Sequence, residues 1–367
     1  MTAPRRDYAV SLDTIVDGLR QSIDALVEKI LPNAVKDGHE WFVGSLAGEK
    51  GRSMAINRKG RPGVWQDFAS SEGGDALDLV AGVLFRGDKK EAIKWAKSWL
   101  GLDGDDPERI KTFRRQAEAH ARTRANEDRQ QEDKMRDAAG RIWRGAAHRI
   151  KGTPADAYLV GRGIDFAELG KQSGSLAFSA KCWCSETNGP LPALVAEIRR
   201  GREFVGIHRT YLDDAFADGV VRKARLREAK KTLGRYVGGC IPLWRGLDPR
   251  KWAQLWEEGG ADEVVVLAEG IENALSVVMA DQSFRVAATV SLANMAAVEL
   301  PPCVKEVIIA RDNDAEGSKA DIAFGRAVEA HRAAGRRVRE ARAPAPHKDF
   351  NDWLVALRAG AAQSSGG

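Results

Sequence analysis

Residues 264–278 read VVVLAEGIENALSVV, and residues 304–314 read VKEVIIARDND. Each begins as an apolar, β-branched run and stops at acids: Glu269-Gly270 in the first, Asp312-Asn313-Asp314 in the second. This is how a strand buried on both faces ends in a parallel α/β sheet. Such sheets place their chemistry at the carboxyl ends of strands. If the two strands are neighbours, three carboxylates share one rim. Close carboxylates repel, and a hard, oxygen-seeking cation between them relieves the repulsion. Glu269, Asp312 and Asp314 are therefore candidate ligands for Mg²⁺ or Mn²⁺, ions that work on phosphates. Acids capping helix N-termini are the plainer alternative.

The surrounding pattern predicts strands at 263–268, 286–290, 304–310 and 337–341. Helices fall at 271–279, 294–299, 317–334 and 351–357. The alternation implies a parallel sheet covered on both faces, with right-handed crossovers. The last helix opens at His347-Lys348-Asp349-Phe350-Asn351-Asp352-Trp353. Asp349 is a further ligand or a group behind one, and Lys348 suits a nucleotide phosphate. Glu269 is either a ligand or a proton acceptor. Arg311 suits a phosphate or an ion pair with a neighbouring acid. Glu272 and Glu316 read as helix-start acids.

Upstream lies the densest basic run, RKARLREAKK at 222–231. Arg222, Lys223, Arg225, Lys230 and Lys231 are candidates for phosphates of a template or nucleotide. A hairpin is expected before it, residues 194–198 and 204–212 around Arg200-Gly201-Arg202, with His208 an ordinary strand histidine. Thr153-Pro154 starts a helix. Residues 103–140 carry mixed charge with scarcely any apolar stripe and read as a solvated helical linker. Before that, residues 12–31 have helical apolar spacing. Three strand-like pieces follow, at 41–44, 52–57 and 63–68, then helices at 76–84 and 91–100.

Two stretches, Glu49-Lys50-Gly51-Arg52-Ser53-Met54 and Gly74-Asp75-Ala76-Leu77-Asp78-Leu79, resemble the N-terminal template-binding module of DnaG-type primases. That family module is a zinc ribbon. Here its Cys/His quartet is missing, so no zinc is expected, and packing around Trp41, Trp65 and Phe68 takes its place. TPADAYLVGRGID, GIHRTYL and KKTLGRYVGGCIPLW resemble the first half of the catalytic core in phage and plasmid primases. The strand-end Glu, the Asp-x-Asp and the third acidic cluster resemble the Toprim domain. Primases carry an acid where Asn351 stands.

The resemblance implies an α+β and α/β chain. Its parts are a degenerate module at 1–102, the linker at 103–140, a basic half-core at 141–260, a Toprim domain at 261–358 and a disordered tail at 359–367. It implies synthesis of short RNA primers on single-stranded DNA from ribonucleoside triphosphates, in the cytoplasm of a bacterial or phage-infected cell. A Toprim nuclease is an alternative. So is a non-catalytic single-strand-binding module for replication or recombination. A topoisomerase needs a large DNA gate and a tyrosine nucleophile, and only Tyr8, Tyr158, Tyr211 and Tyr236 are available. No P-loop motif occurs, so a helicase would be a separate protein.

The chain has 367 residues, a net charge of +5 and four cysteines without zinc-finger spacing. Neither a disulfide framework nor a zinc site is expected from that spacing. The mildly basic balance permits a polyanionic partner without requiring one. No membrane-length apolar run or signal-peptide core is present in the sequence.

Overall fold

The computed structural model describes residues 11–70, 72–102, 107–213, 220–257 and 262–364. They form two compact units, Met1–Arg129 and Gln130–Gly367.

In the first unit Ser11 caps α1 (Leu12–Gln21), its hydroxyl accepting from the Thr14 amide. The expected single helix over 12–31 breaks at Ser22, and α2 (Ile23–Ile30) follows. Serine competes poorly in a helix interior, and here it stands at the junction outside helical geometry. Strands β1 (Val35–Asp37), β2 (Glu40–Val43), β3 (Met54–Asn57), β4 (Trp65–Asp67) and β5 (Gly73–Gly74) pair antiparallel in chain order. Asp75 forms a capping box with Asp78 and starts α3 (Ala76–Phe85), and Asp88 caps α4 (Lys89–Trp99). Trp41 and Trp65 join the core, but Phe68 is 64% exposed. Strand alternation explains the misplaced expectation. Trp65 and Asp67 point inward, and the buried Asp67 carboxylate accepts from the Ala69 amide, leaving Phe68 outside. Asp24 of α2 accepts from Trp41 Nε1 at 2.8 Å and from Arg58 Nε and Nη2, both at 2.7 Å. The Arg58 guanidinium holds that carboxyl well below the usual range.

The second unit takes its first helical turns from α5 (Pro107–Gly145), a 39-residue helix within which the boundary between the units falls. Its far end packs Ala139, Ile142 and Trp143 against one face of a sheet, so the charged segment does not stay solvated to residue 140. α6 (Pro154–Gly161) precedes that sheet. The sheet is β6 (Leu176–Cys184), β7 (Gly189–Arg200), β8 (Glu203–Tyr211) and β9 (Lys230–Gly234), antiparallel in chain order. Gly234 lies at φ +100°, where an added Cβ would stand 2.3 Å from the Val205 carbonyl oxygen, so only glycine closes this edge.

The second sheet holds β10 (Ile241–Arg245), β11 (Glu263–Ala268), β12 (Arg285–Ala288), β13 (Val304–Arg311) and β14 (Arg337–Arg342), in the order β10-β12-β11-β13-β14. All pairings are parallel except β10 with β12. α7 (Ile271–Ala280) follows β11, α8 (Leu292–Met295) follows β12, α9 (Lys319–Ala333) follows β13 and α10 (Phe350–Ser364) closes the chain. Two points differ from the sequence reading. Residues 241–245, assigned there to the preceding half-core, supply the antiparallel edge strand of the α/β sheet. Residues 359–364, expected to be disordered, continue α10, and 365–367 lie outside the described residues.

The two sheets share one core. Leu176, Leu194, Ala196 and Ile198 of the antiparallel sheet pack with Val266, Ile271, Leu275 and Val286 of the α/β half. That burial fixes where the basic strands stand relative to the strand-end acids. Among the described residues, no helix is long and apolar enough to cross a membrane.

Candidate active site

β11 and β13 are neighbours, with Ala268 opposite Ala310. Glu269 leaves the sheet after Ala268 and Asp312 after Arg311, so both acids emerge at the same edge. Glu269, Asp312, Asp314 and Asp349 line one cleft of about 380 Å³, together with Arg162, Lys223, Lys230 and Lys348. Burial pushes the Asp312 carboxyl up to about 6, assisted by the negative charges of Asp349, Glu269 and Asp314. Burial also raises Glu269, against the pull of Lys230 and Lys348. The acids therefore feel one another. Among the described residues, however, no three acidic, histidine or cysteine side chains close tightly enough to make a ready ion cage.

Local hydrogen bonds explain how each acid is aimed. Asn273, on the first turn of α7, donates to Asp312 Oδ1 at 2.9 Å and accepts the Phe350 amide at 3.0 Å. Asn313, between the two aspartates, donates to the carbonyls of Ala343 and His347 at 2.9 and 2.8 Å. Its amide bonds Lys348 O at 2.7 Å. This pins the loop that presents Lys348 and Asp349. Asp349 accepts the Asp352 amide at 2.8 Å, an N-cap for α10. Asn351 is buried, donating to Arg162 O and Ser276 Oγ, so the position where primases carry an acid serves packing here.

Glu272 stands on the first turn of α7, as the sequence reading has it, but its partners are not those of an ordinary helix-start acid. It is 4% exposed. Tyr158 donates to it at 2.6 Å, Lys230 Nζ stands at 2.9 Å and Lys223 Nζ at 3.1 Å. Burial alone would raise its carboxyl, but the two lysines and the phenol hold it well below the usual range. Burial lowers Lys223, against the attraction of Glu272. The carboxylate thus gathers α6, the basic segment and α7 beside the acidic rim. The signal was absent locally, because its partners come from distant segments.

The basic candidates separate. Lys223, Lys230 and Lys348 line the acidic cleft; Arg222, Arg225 and Lys231 do not. Adjacent strand residues face opposite ways, so Lys231 turns from the cleft toward Glu186, 3.9 Å away. Arg222 and Arg225 are exposed. Arg311 resolves as an ion pair, its guanidinium 2.7 Å from Asp321 and 3.5 Å from Glu340. His208 lines the cleft, 6% exposed, and burial beside Lys230 lowers its imidazole to about 4. Arg162, Asn273 and His208 were not singled out by sequence as site residues. Arg162 sits in the Gly161-Arg162-Gly163 helix stop, a pattern that any loop can carry.

Residues 264–360 match the family model described as Toprim domain, and residues 133–243 match one described as Domain of unknown function (DUF7146). No curated protein matches the chain. Among solved structures the chain is similar to a DNA primase domain from Pseudomonas aeruginosa, at 17% identity and TM-score 0.38, over 62% of this chain and 78% of that one. It is also similar to the primase fragment of the bacteriophage T7 primase-helicase protein, at 12% identity and TM-score 0.34, over 86% and 94%. A DnaG primase catalytic domain bound to ssDNA matches at 13% identity and TM-score 0.39, over 64% and 78%. The acidic rim from Glu269 to Asp349 falls inside the first matched segment, and the chain is a Toprim-containing protein.

Proposed function

We propose that the chain is a primase-like nucleotidyltransferase, making short RNA primers on single-stranded DNA from ribonucleoside triphosphates with Mg²⁺ or Mn²⁺. One observation carries this reading: a single cleft sets the strand-end acids of a Toprim segment against Lys230 of the other sheet and Lys223 of the segment before it. The fold alone would not choose the reaction.

The donor set fits a hard cation. Its oxygens are carboxylates, and their mutual repulsion, which adds to burial in raising Asp312, is what such an ion relieves. Glu269, Asp312 and Asp314 would hold it, with Asp349 beside them. A bound divalent ion supplies charge neutralisation at phosphoryl oxygens. The remaining work belongs to the chain. Lys348 and Arg162 bind nucleotide phosphates, and Glu272 keeps Lys223 and Lys230 turned into the cleft for the same purpose. Asn273 fixes the Asp312 carboxylate. Glu269, made more basic by burial, accepts the proton of the attacking hydroxyl if it is not itself a ligand.

Residues 1–102 would serve as the template-binding module, without zinc. Their exposed Phe68, and Arg52 stacked 4.1 Å over Phe42, suit the bases and backbone of a single strand. Arg222, Arg225 and Lys231 would contribute to the template path outside the cleft. A replicative helicase would be a separate partner, and the working compartment would be the bacterial or phage-infected cytoplasm.

The test supplies purified protein with single-stranded DNA, labelled ribonucleotides and Mg²⁺ or Mn²⁺. Short labelled oligoribonucleotides, lost in Asp314→Asn, support the proposal. Degraded template without synthesis would establish the nuclease instead, and binding with neither activity the accessory module.

A further inference from the structure

A second cleft, of about 450 Å³, lies beside the edge strand β10, toward the amino ends of the parallel strands. The acidic rim lies at their carboxyl ends, so the two clefts occupy opposite ends of the α/β sheet. Lys171, Arg199, Arg245, Lys251 and Arg285 line it, against the single acid Glu197.

The cations are not equally engaged. Arg285, at the cleft floor, is 2% exposed and already balanced by Glu263 and Asp248 behind it. Arg199 is bridged to Glu197 at 3.2 Å, and Arg245 donates to the Pro249 carbonyl at 3.2 Å. Lys171 stands over the Trp244 ring, 4.4 Å from its centroid. Neither Lys171 nor Lys251 is paired with a carboxylate of the described residues, and both are exposed. Trp252 also lines the cleft. It is 5% exposed, and its indole N–H is buried with no acceptor among the described residues. A buried donor left without an acceptor is unfavourable, and an oxygen supplied from outside would satisfy it. The buried Ser173 and Ser175 line the same wall, the Ser175 hydroxyl already donating to Glu197 at 3.3 Å. The lining is therefore rich in donors and positive charge and poor in acceptors. Apolar ligands and cations are disfavoured, and a multiply charged oxyanion is matched.

We propose that this cleft binds a phosphate group, delivered by a free nucleotide or by a nucleic-acid strand, with Lys171 and Lys251 as its charge contacts and Trp252 Nε1 as a fixed donor. The site does not depend on the reaction assigned to the acidic rim.

The test is calorimetric titration of the full chain with pyrophosphate in EDTA, where the acidic rim has no divalent ion to share. Pyrophosphate should bind. The double variant K171A/K251A should weaken binding roughly tenfold or more, since two charge-assisted contacts are lost. Trp252→Phe, which deletes the N–H, should weaken it severalfold, while Lys181→Ala, exposed on β6 and outside both clefts, should leave it unchanged. Circular dichroism checks that each variant is folded. No binding by the wild-type chain, binding unaffected by K171A/K251A, or binding weakened as much by Lys181→Ala would overturn the proposal. Competition separates the sources: displacement by an oligothymidylate identifies a strand as the ligand, and displacement by nucleoside triphosphate alone identifies a nucleotide.

Discussion

Replacing Glu272 with alanine removes the acceptor at which α6, the basic segment and α7 meet. Three groups lose their partner: the Tyr158 hydroxyl, Lys223 and Lys230. Removing one member of a buried ion pair costs about 3–5 kcal/mol, because the other charge is stranded. Here the two lysine side chains are 33% and 36% exposed and regain water. That partial rescue brings the expected loss to about 2–3 kcal/mol. For a unit of this size such a loss lowers Tm by about 4–12 °C. Glu272→Gln keeps an acceptor for Tyr158 and should cost roughly half as much. Urea unfolding gives the free energy, and hydrogen exchange at the α7 and β9 amides localises it to this unit. A cycle with Tyr158→Phe should show coupling of about 0.5 kcal/mol or more, because the two groups touch. The sign with pH also follows. A depressed carboxyl stabilises the fold above its unfolded value of about 4.3, and that contribution is lost as pH falls below it. The difference between wild type and Glu272→Gln should therefore shrink in acid. If Glu272→Ala unfolds within about 0.5 kcal/mol of wild type, the cluster does not hold the two halves together.

His208 gives a second pH effect. Its buried imidazole titrates near 4, against about 6.5 unfolded, so the unfolded state takes the proton first. Stability should fall between about pH 6.5 and 4, by up to about 3 kcal/mol, and then level off. His208→Gln should flatten that interval in pH-dependent urea melts. Asn313→Ala removes both bonds to the loop at residues 343–347. It should cost about 1–2 kcal/mol and slow the proposed primer synthesis with the aspartates intact, read as labelled-nucleotide incorporation beside faster proteolytic nicking of that loop.

The α/β half was legible because both-face burial writes itself as unbroken apolar strands, and an acid directly after such a run stands out. The hairpin at Arg200–Arg202 was legible for a similar reason, since alternating strands flank a glycine turn. Edge strand β10 was not. Ile241–Arg245 is short, runs antiparallel and lies far from the strands it joins, so its membership depends on pairing that no local pattern encodes. Glu272 was read correctly as a helix-start acid, but its buried pairing was not legible, because only the fold brings Lys223 and Lys230 to it. The basic run showed charge but not direction. Of Lys230 and Lys231, neighbours on β9, strand alternation sends one to the cleft and the other away. Phe68 was expected to join the packing that stands in for the missing zinc, while the buried turn-forming Asp67 reversed its direction.

The central claim is that the acids at the ends of β11 and β13 share divalent cations, and manganese binding tests it most directly. Free Mn²⁺ is followed by electron paramagnetic resonance as protein is titrated, without substrate, for wild type, Asp312→Asn and Asp314→Asn. The wild-type chain should take up Mn²⁺, and each variant should weaken uptake by roughly tenfold or more while its Tm stays at or above the wild-type value, since one repelling charge has gone. Equal uptake by all three proteins would contradict the account.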